Sequence, residues 1–393
     1  MSRRLGWMTA ALVVALGLQL YSTGAKAPQL PLHDYVEYWA AGRLLARGDN
    51  PYDKALIDQL EREAGRDDDP ILMWNPPWAL PLVLPLGGLD ARTGHLAWLG
   101  AHLLALVASA ELLWRVYGGR DELRFLAPVV ALTFVPALSA LIVGQISPLM
   151  LLGAAGFLWF VRQGRDLEAG VAVTLLAVKP HMAYLFWVAL LVWAVGSGRW
   201  RLLAAGALAG VALTATAAAF RPSILADYWA TARQTPAEYA SPTPGFLLRW
   251  ALGSPAFGWQ FVPLAPGLAW LAWYGWRYRS DWDWPRRLPM LLLVSALTAA
   301  YGAWLFDLVL LLVPVLDVAA RLSREGPNAR RWVAAGAHLA ILAAGLTLML
   351  GPFQVQYLHY IWITPAVLVA YLALTREEEK EPSRPAASPA ASG

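Results

Sequence analysis

The chain has 393 residues, of which 58% are hydrophobic and only 15% are charged, whereas an ordinary soluble domain has about 25% charged residues. Apolar runs of roughly 18 to 20 residues recur along it, each long enough to cross a hydrocarbon core about 30 Å thick. This composition excludes a soluble globular domain and predicts an all-α, polytopic transmembrane protein. The absence of cysteine excludes disulfides and thiolate chemistry, and a net charge of +4 held in arginine clusters does not indicate nucleic-acid binding.

Arginine clusters between the apolar runs predict the topology, because short cytoplasmic loops are enriched in Lys and Arg. They predict about twelve spans, with both termini in the cytoplasm. The predicted spans are 5–23, 93–114, 125–143, 148–162, 167–178, 181–196, 200–219, 258–276, 287–303, 304–320, 332–350 and 356–374. The first run also fits a signal peptide cleaved near Ala25 to Ala27, and we expect it to be retained as a span.

The spans lie within one domain, residues 1–375, with two long loops on the extracytoplasmic side at 24–75 and 220–256. The first loop mixes charged residues with apolar residues at helical spacing, which predicts short amphipathic helices on the membrane surface. Residues 75–89, "NPPWALPLVLPLGGL", contain four prolines and predict a re-entrant or broken segment within the protein, with a full span as the alternative. The charged and Pro/Ala/Ser-rich residues 376–393 predict a disordered cytoplasmic tail.

Asp34 is the first candidate site residue, and it opens the first outer loop. Its neighbours are His33, Tyr35, Tyr38 and Trp39, which could form aromatic walls for a sugar or a lipid headgroup around a general base. The alternative is that Asp34 caps the N-terminus of a helix that begins near Tyr35.

Lys179 is one of only four lysines, and it stands in the apolar stretch "LLAVKPHMAYLF". An ammonium at membrane depth is costly unless it faces a cavity or a partner. A phosphate is the natural anionic partner, with His181 as a second donor. The alternative is a lysine that extends to the outer membrane interface.

Two further polar positions lie at predicted outer turns. Gln145, in "VGQISPL", could hydrogen-bond a hydroxylated ligand or simply belong to a helix connection. Asp307, near the outer end of its predicted span, is a candidate substrate-binding residue. The alternative is a structural carboxylate paired with Arg249 or Lys179. The topology, built from arginines alone, places Asp34, Gln145, Lys179, Asp307, His359 and residues 220–256 on the same side of the membrane.

Metal and nucleotide sites have no comparable sequence support. The run "RDDDP" at residues 66–70 is more typical of a solvated acidic loop than of a metal site, because three adjacent aspartates do not readily converge on one ion. No zinc-type or phosphate-loop motif is present. We therefore predict neither a metal nor a cofactor.

Four stretches taken in order carry a family resemblance: "HDYVEYWAAGRLLARGDNPYD", "NPPWALPLVLPLGGL", "GQISPLMLLGAAGFLWFVRQGRDLEAGVAVTLLAVKPHMAYLF" and "FDLVLLLVPVL". Their order and spacing resemble glycosyltransferase family 87, membrane enzymes of the GT-C type that include polyprenol-phosphate-mannose-dependent mannosyltransferases. The resemblance extends over about residues 5–374. The stretch that leads to Asp307 matches the family's pattern only loosely, because Tyr301 and Gly302 replace residues of that pattern.

The resemblance implies a polyprenyl phosphate sugar donor, a lipid or glycan acceptor and an inverting transfer of a hexose such as mannose. It also implies a bacterial inner-membrane enzyme that acts at the extracytoplasmic face, among membrane lipids. An aspartate of the first outer loop would deprotonate the acceptor, and Asp34 matches it. Lys179 would hold the donor phosphate, with His181 as a second contact. The remaining candidate substrate-binding residues are His33, Tyr35, Tyr38, Trp39, Gln145 and Asp307.

Two other protein classes compete with this interpretation. A transporter or flippase also uses broken helices and a membrane-embedded lysine, but it should show related halves or polar residues at mid-span. A structural scaffold would have no need of Lys179. The gathering of polar residues at one face and the long first outer loop favour an enzyme.

Overall fold

A computed structural model of the chain describes residues 32–234, 240–326, 328–350 and 357–375. Within these ranges the secondary structure is helical, with no β-strand. The predicted first span at 5–23, its alternative cleavage site and the predicted tail at 376–393 lie outside the described residues.

The α-helices are numbered in chain order. They are α1 (Tyr35–Ala46), α2 (Lys54–Glu63), α3 (Leu80–Val83), α4 (Ala91–Val116), α5 (Leu126–Leu132), α6 (Val135–Val143), α7 (Ser147–Arg162), α8 (Asp166–Leu176), α9 (Tyr184–Gly196), α10 (Trp200–Phe220), α11 (Ile224–Ala232), α12 (Pro244–Ala251), α13 (Leu264–Arg277), α14 (Trp284–Leu297), α15 (Leu312–Arg324), α16 (Ala329–Leu350) and α17 (Ile363–Thr375). Short 3-10 helices occupy Pro77–Ala79, Leu84–Gly88, Asp121–Leu123, Pro180–Ala183, Phe257–Phe261, Asp307–Leu311 and Tyr357–Tyr360.

Four of the described helical segments are long and apolar enough to cross a membrane: α4, α10, α16 and Leu358–Thr375. They fall where the sequence predicts spans at 93–114, 200–219, 332–350 and 356–374. Each is an unbroken apolar run, for which length and hydropathy are reliable guides. The chain is therefore a helical membrane protein.

The span predicted at 125–143 is instead two helices, α5 and α6, bent by 63°. Pro136 lies in the first turn of α6. It has no backbone N–H with which to continue the hydrogen bonds of α5, so the two helices meet at an angle. Together they count as a fifth candidate span among the described residues.

Glycines allow the central helices to approach one another closely. A Cβ on Gly153 of α7 would lie 2.7 Å from the backbone nitrogen of Leu176, and one on Gly170 of α8 would lie 2.3 Å from the carbonyl oxygen of Leu202. Small residues at such crossings let helix backbones pack directly in a membrane. The helices α7, α8 and α10 thus form a tight stack.

The first outer loop departs from its prediction at α1. This helix is buried at ten of its twelve residues, so it is not a surface helix. Apolar and small residues occur all around it, and a helix that is apolar all round belongs in a protein interior. In contrast, α2 buries only Ile57, Leu60 and Glu61 and has the expected amphipathic character. Asp67, Asp68 and Asp69 are exposed, as expected of a solvated acidic loop.

The proline-rich segment forms three short helical pieces. Of these, α3 and Leu84–Gly88 pack against α1, while Pro77–Ala79 packs against α10 and α11. Contact is made through backbone, because a Cβ on Gly42 would lie 2.3 Å from the Val83 carbonyl oxygen. A Cβ on Gly87 would lie 2.5 Å from Gly42 backbone atoms. The segment is broken and packed within protein, and it supports the helix that begins directly after Asp34.

We expect Gly87→Ala to destabilise the protein by about 1–3 kcal/mol, because the new methyl group has no room between the two backbones. The matched control is Gly88→Ala, since a Cβ on Gly88 meets nothing within 4 Å. The midpoint of thermal unfolding in detergent should fall for Gly87→Ala and stay unchanged for Gly88→Ala. Equal midpoints for the two variants would refute the backbone contact.

Candidate active site

Asp34 immediately precedes α1, but its side chain does not cap that helix. Its carboxylate instead accepts a hydrogen bond from the side-chain amide of Gln145, with Nε2 2.7 Å from Oδ2. The preceding residue, His33, is exposed and has a φ of 39°, a left-handed conformation that non-glycine residues rarely adopt. The backbone at this point therefore aims the carboxylate across the fold and not along its own helix.

Gln145 joins two charged groups through a single amide. Its Oε1 accepts hydrogen bonds from Tyr38 Oη and from Lys179 Nζ, each at 2.7 Å, while its Nε2 donates to Asp34. The residue is 5% exposed and follows Gly144, which ends α6 with a φ of 73°. A Cβ on Gly144 would lie 2.5 Å from Tyr35 Cβ, so this turn lies directly against the start of α1.

Lys179 is held by a second carboxylate. Its Nζ lies 2.8 Å from Asp307 Oδ1, and Ser147 Oγ donates to the same oxygen at 2.8 Å. The lysine side chain is 12% exposed and the aspartate side chain 3%. The ammonium also lies 4.8 Å from the ring centroid of Phe306. Lys179 is therefore largely buried in the protein and pairs with Asp307.

Each of these residues stands where an α-helix is interrupted. Lys179 precedes the 3-10 helix Pro180–Ala183, Asp307 begins another, and Gln145 lies in the turn before α7. Irregular backbone at membrane depth is tolerated where it is buried in protein or lines a cavity. The chain thus uses its helix breaks to bring polar side chains together.

Burial raises the pKa values of the two carboxylates at the start of α1, Asp34 and Glu37. Burial raises the pKa of Asp34 above its ordinary value of 3.8, opposed by the hydrogen bond from Gln145 and the charge of Lys179. Burial and the nearby Asp34 charge also raise the pKa of Glu37, which is 4% exposed. A carboxylate with a raised pKa is a better proton acceptor near neutral pH.

The structure brings Asp34, Tyr38, Gln145, Lys179 and Asp307 into one connected network. His181 lies nearby, two residues after Lys179. A Cβ on Gly302 would lie 2.7 Å from His181 Nε2, and the Tyr301 ring centroid is 6.2 Å from that of His181.

Two predicted site residues are turned away from the network. The Tyr35 ring stacks on His95 with 4.6 Å between centroids, and Trp39 Nε1 donates to the Leu89 carbonyl oxygen at 3.0 Å. Both side chains anchor α1 to the structure around the start of α4. The sequence predicted all three aromatic residues, Tyr35, Tyr38 and Trp39, as site residues. Their aromatic character alone does not show on which side of α1 each ring lies.

Ser147 and Phe306 were not among the candidate site residues, yet both contact the ion pair. Only their position in the sequence pointed to them, since Ser147 belongs to the same turn as Gln145 and Phe306 directly precedes Asp307. Neither residue type marks a site by itself.

We expect Gln145→Met to slow turnover and to move the acid limb of the pH–rate profile to higher pH. The amide hydrogen bond stabilises the charged form of Asp34 and so lowers its pKa. Its loss raises that pKa further, and more alkaline conditions are then needed to deprotonate the carboxylate. Initial rates across pH test this, with the exposed Asp49→Asn as control. An unshifted profile would rule out a positioning role for Gln145.

These features define a helical membrane protein with a carboxylate and a lysine joined at its helix breaks. The sequence model of glycosyltransferase family 87 matches residues 74–300, more than half of the chain. The chain therefore belongs to glycosyltransferase family 87 and is a membrane glycosyltransferase, which acts on a sugar donor and an acceptor. Comparison with curated proteins and with solved structures finds no match. The matched range includes Gln145, Lys179 and His181, while Asp34 and Asp307 lie outside it.

Proposed function

We propose that the protein transfers a hexose from a polyprenyl phosphate donor to a lipid or glycan acceptor, with inversion at the anomeric carbon. The proposed hexose is mannose. The observation that carries this proposal is the Gln145 bridge between Asp34 and Lys179. It holds one basic group and one cationic group a fixed distance apart, which a single-displacement glycosyl transfer requires.

The spacing suits that reaction. Two hydrogen bonds of 2.7 Å and the width of one amide group place Asp34 Oδ2 within about 8 Å of Lys179 Nζ. Inverting glycoside hydrolases separate their two carboxyl groups by a comparable distance, about 6.5–9.5 Å, to admit a nucleophile beside the sugar. The acceptor hydroxyl and the anomeric carbon would lie beside the Gln145 amide, which occupies the direct line between the two groups.

In the proposed reaction Asp34 takes the proton from the acceptor hydroxyl as the oxygen bonds to the anomeric carbon. The bond from that carbon to the donor phosphate oxygen breaks, and the polyprenyl phosphate leaves with the electron pair. Because the leaving group is already an anion of low basicity, no second catalytic acid is needed. The oxocarbenium-like transition state is stabilised by charges fixed on both sides.

Lys179 would stabilise the leaving phosphate. An ammonium has three N–H donors, and here two are donated to Gln145 and Asp307, while the third makes only a long bond of 3.5 Å to Ser147 Oγ that a phosphate oxygen can replace. His181 would be the second contact to the phosphate, while Tyr38 and His33 would lie beside the acceptor.

We further propose a bacterial inner-membrane location with about twelve spans, GT-C architecture and the site on the extracytoplasmic face. Enzyme reporter fusions after Arg120 and Arg199 should then read cytoplasmic. An external reading at either position would overturn the arrangement. The transporter alternative has no support comparable to the family match.

The donor proposal is tested with membranes that contain the overproduced protein. They are incubated with a polyprenyl phosphate hexose labelled in the sugar, and separately with the corresponding nucleotide sugar. We expect label in a new glycolipid or glycan from the lipid donor only, with mannose transferred fastest. Transfer from the nucleotide sugar alone would refute the proposal.

A further inference from the structure

A polar cavity lies at the end of the helix bundle opposite the proposed transfer site. It has a volume of about 1160 Å³ and is bordered by residues of α7, α13, α14, α15 and α17. The helix α7 begins at Ser147 in the transfer site and ends at Arg162 in this cavity. Sixteen residues at 1.5 Å each separate the two by about 24 Å. We call this cavity the arginine cleft.

Positive charge dominates the arginine cleft. Its described lining has six arginines and three aspartates: Arg162, Arg277, Arg286, Arg287, Arg321 and Arg324, with Asp281, Asp283 and Asp317. Of the aspartates, Asp317 is engaged by Arg321 at 2.6 Å and by the Tyr371 hydroxyl at 2.9 Å. The other two approach arginines only at 3.6 Å, beyond hydrogen-bond distance. The cleft therefore has a surplus of guanidinium groups.

Arg287 gives an independent indication of a ligand. It is 6% exposed, and its Nε has no hydrogen-bond acceptor among the described residues. Its guanidinium carbon lies 3.7 Å from the Tyr278 ring centroid, and its Nη2 donates to the Asp281 carbonyl oxygen at 3.2 Å. A buried charged donor without an acceptor is costly and is normally satisfied. An anion bound in the cleft would add negative charge beside this buried guanidinium, whose nearest carboxylate oxygen, Asp281 Oδ2, lies 3.6 Å from Nη2.

Phosphate is the anion that fits this lining. Its oxygens can accept paired N–H donors from several guanidinium groups at once, and it has more acceptor oxygens and more negative charge than a carboxylate. Trp273, which also lines the cleft, is 54% exposed on the outer surface of α13. Tryptophan at such positions is typical of the membrane interface. The cleft thus combines an arginine-rich interior with an interfacial edge.

We propose that the arginine cleft binds a phosphate group, carried by an anionic phospholipid or by a soluble phosphate compound, at a site separate from glycosyl transfer. The cleft lies at the end of the bundle predicted to be cytoplasmic, because arginine clusters are typical of cytoplasmic loops. This proposal assigns a second function to these arginines. It does not depend on the proposed transfer chemistry.

The test measures binding to the full-length protein in neutral detergent. The probes are short-chain phosphatidylglycerol, phosphatidylcholine of the same chain length and inorganic phosphate. The test variant is Arg277→Gln/Arg286→Gln, which removes two exposed lining arginines. The matched control is Arg201→Gln/Arg279→Gln, which removes two exposed arginines outside the lining.

We expect wild type to bind phosphatidylglycerol saturably, with phosphatidylcholine much weaker. The test variant should raise the dissociation constant about tenfold, while the control variant leaves it unchanged. Arginine-dependent binding of inorganic phosphate without phosphatidylglycerol binding would identify a soluble ligand and support the phosphate site. If neither probe binds in a way that depends on Arg277 and Arg286, or if the control loses as much affinity, the proposal is overturned.

Discussion

Asp34→Asn should lower the rate of sugar transfer by at least about 10²- to 10⁴-fold, the usual contribution of a general base. Asparagine has nearly the same shape and can still accept the hydrogen bond from Gln145, but it cannot take a proton from the acceptor. Folding and membrane insertion should therefore be preserved. The measurement is the initial rate at saturating donor, with thermal unfolding measured on the same preparation. The control is Asp49→Asn, an exposed aspartate of the same loop.

The wild-type pH profile adds a second test of Asp34. A general base works in its deprotonated form, so the rate should rise with pH through the pKa of Asp34. Because burial raises that pKa, half of the maximal rate should be reached above pH 3.8. Wild-type turnover in Asp34→Asn would exclude Asp34 as the base, whatever the profile.

Lys179→Met should weaken donor binding and also destabilise the fold. The substitution leaves Asp307, whose side chain is 3% exposed, without its cation. Removing one partner of a buried ion pair typically costs about 3–5 kcal/mol. A loss of activity in this variant alone would therefore not distinguish a phosphate ligand from a structural residue.

The double variant Lys179→Met/Asp307→Asn separates the two roles of Lys179. With both charges removed, no uncompensated ion remains, and the unfolding midpoint should recover most of its loss. Donor affinity should remain low, because no ammonium is available for the phosphate. The control is Lys54→Met, an exposed lysine on α2. Recovery of donor affinity in the double variant would exclude Lys179 as the phosphate ligand.

Much of the hydrogen-bond network at the candidate site could be predicted from sequence because polar residues are rare in this chain. Arginine clusters placed Asp34, Gln145, Lys179 and Asp307 on one side of the membrane, and the structure connects them by hydrogen bonds. An ionisable residue in an apolar stretch must find a partner, which left few choices for Lys179. The choice between Arg249 and Lys179 as the partner of Asp307 required three-dimensional packing.

The facing of aromatic residues and the packing of α1 could not be predicted in the same way. Tyr38, Ala41 and Leu45 form a stripe that suggested one apolar face, but Tyr35, Val36 and Trp39 make the other faces apolar as well. Such a helix is buried, and the elements that cover it come from distant parts of the chain. Gly87 provides one of these contacts, 45 residues after Gly42.

Helix breaks limited the prediction of spans. Long runs such as α4 and α10 agree with their predicted limits to within two residues. Around residues 298–306 the helix is interrupted, with positive φ at Gly302 and at Ala303. An alanine in that conformation has no sequence signature, and the interruption is set by what packs against it. It is also the segment that leads to Asp307.

The most direct test of the central proposal is a structure of the Asp34→Asn variant with an intact polyprenyl phosphate sugar bound. We predict a phosphate oxygen within about 3.2 Å of Lys179 Nζ and the anomeric carbon between that phosphate and residue 34. A phosphate bound away from Lys179, for example in the arginine cleft with the sugar far from residue 34, would contradict the proposal.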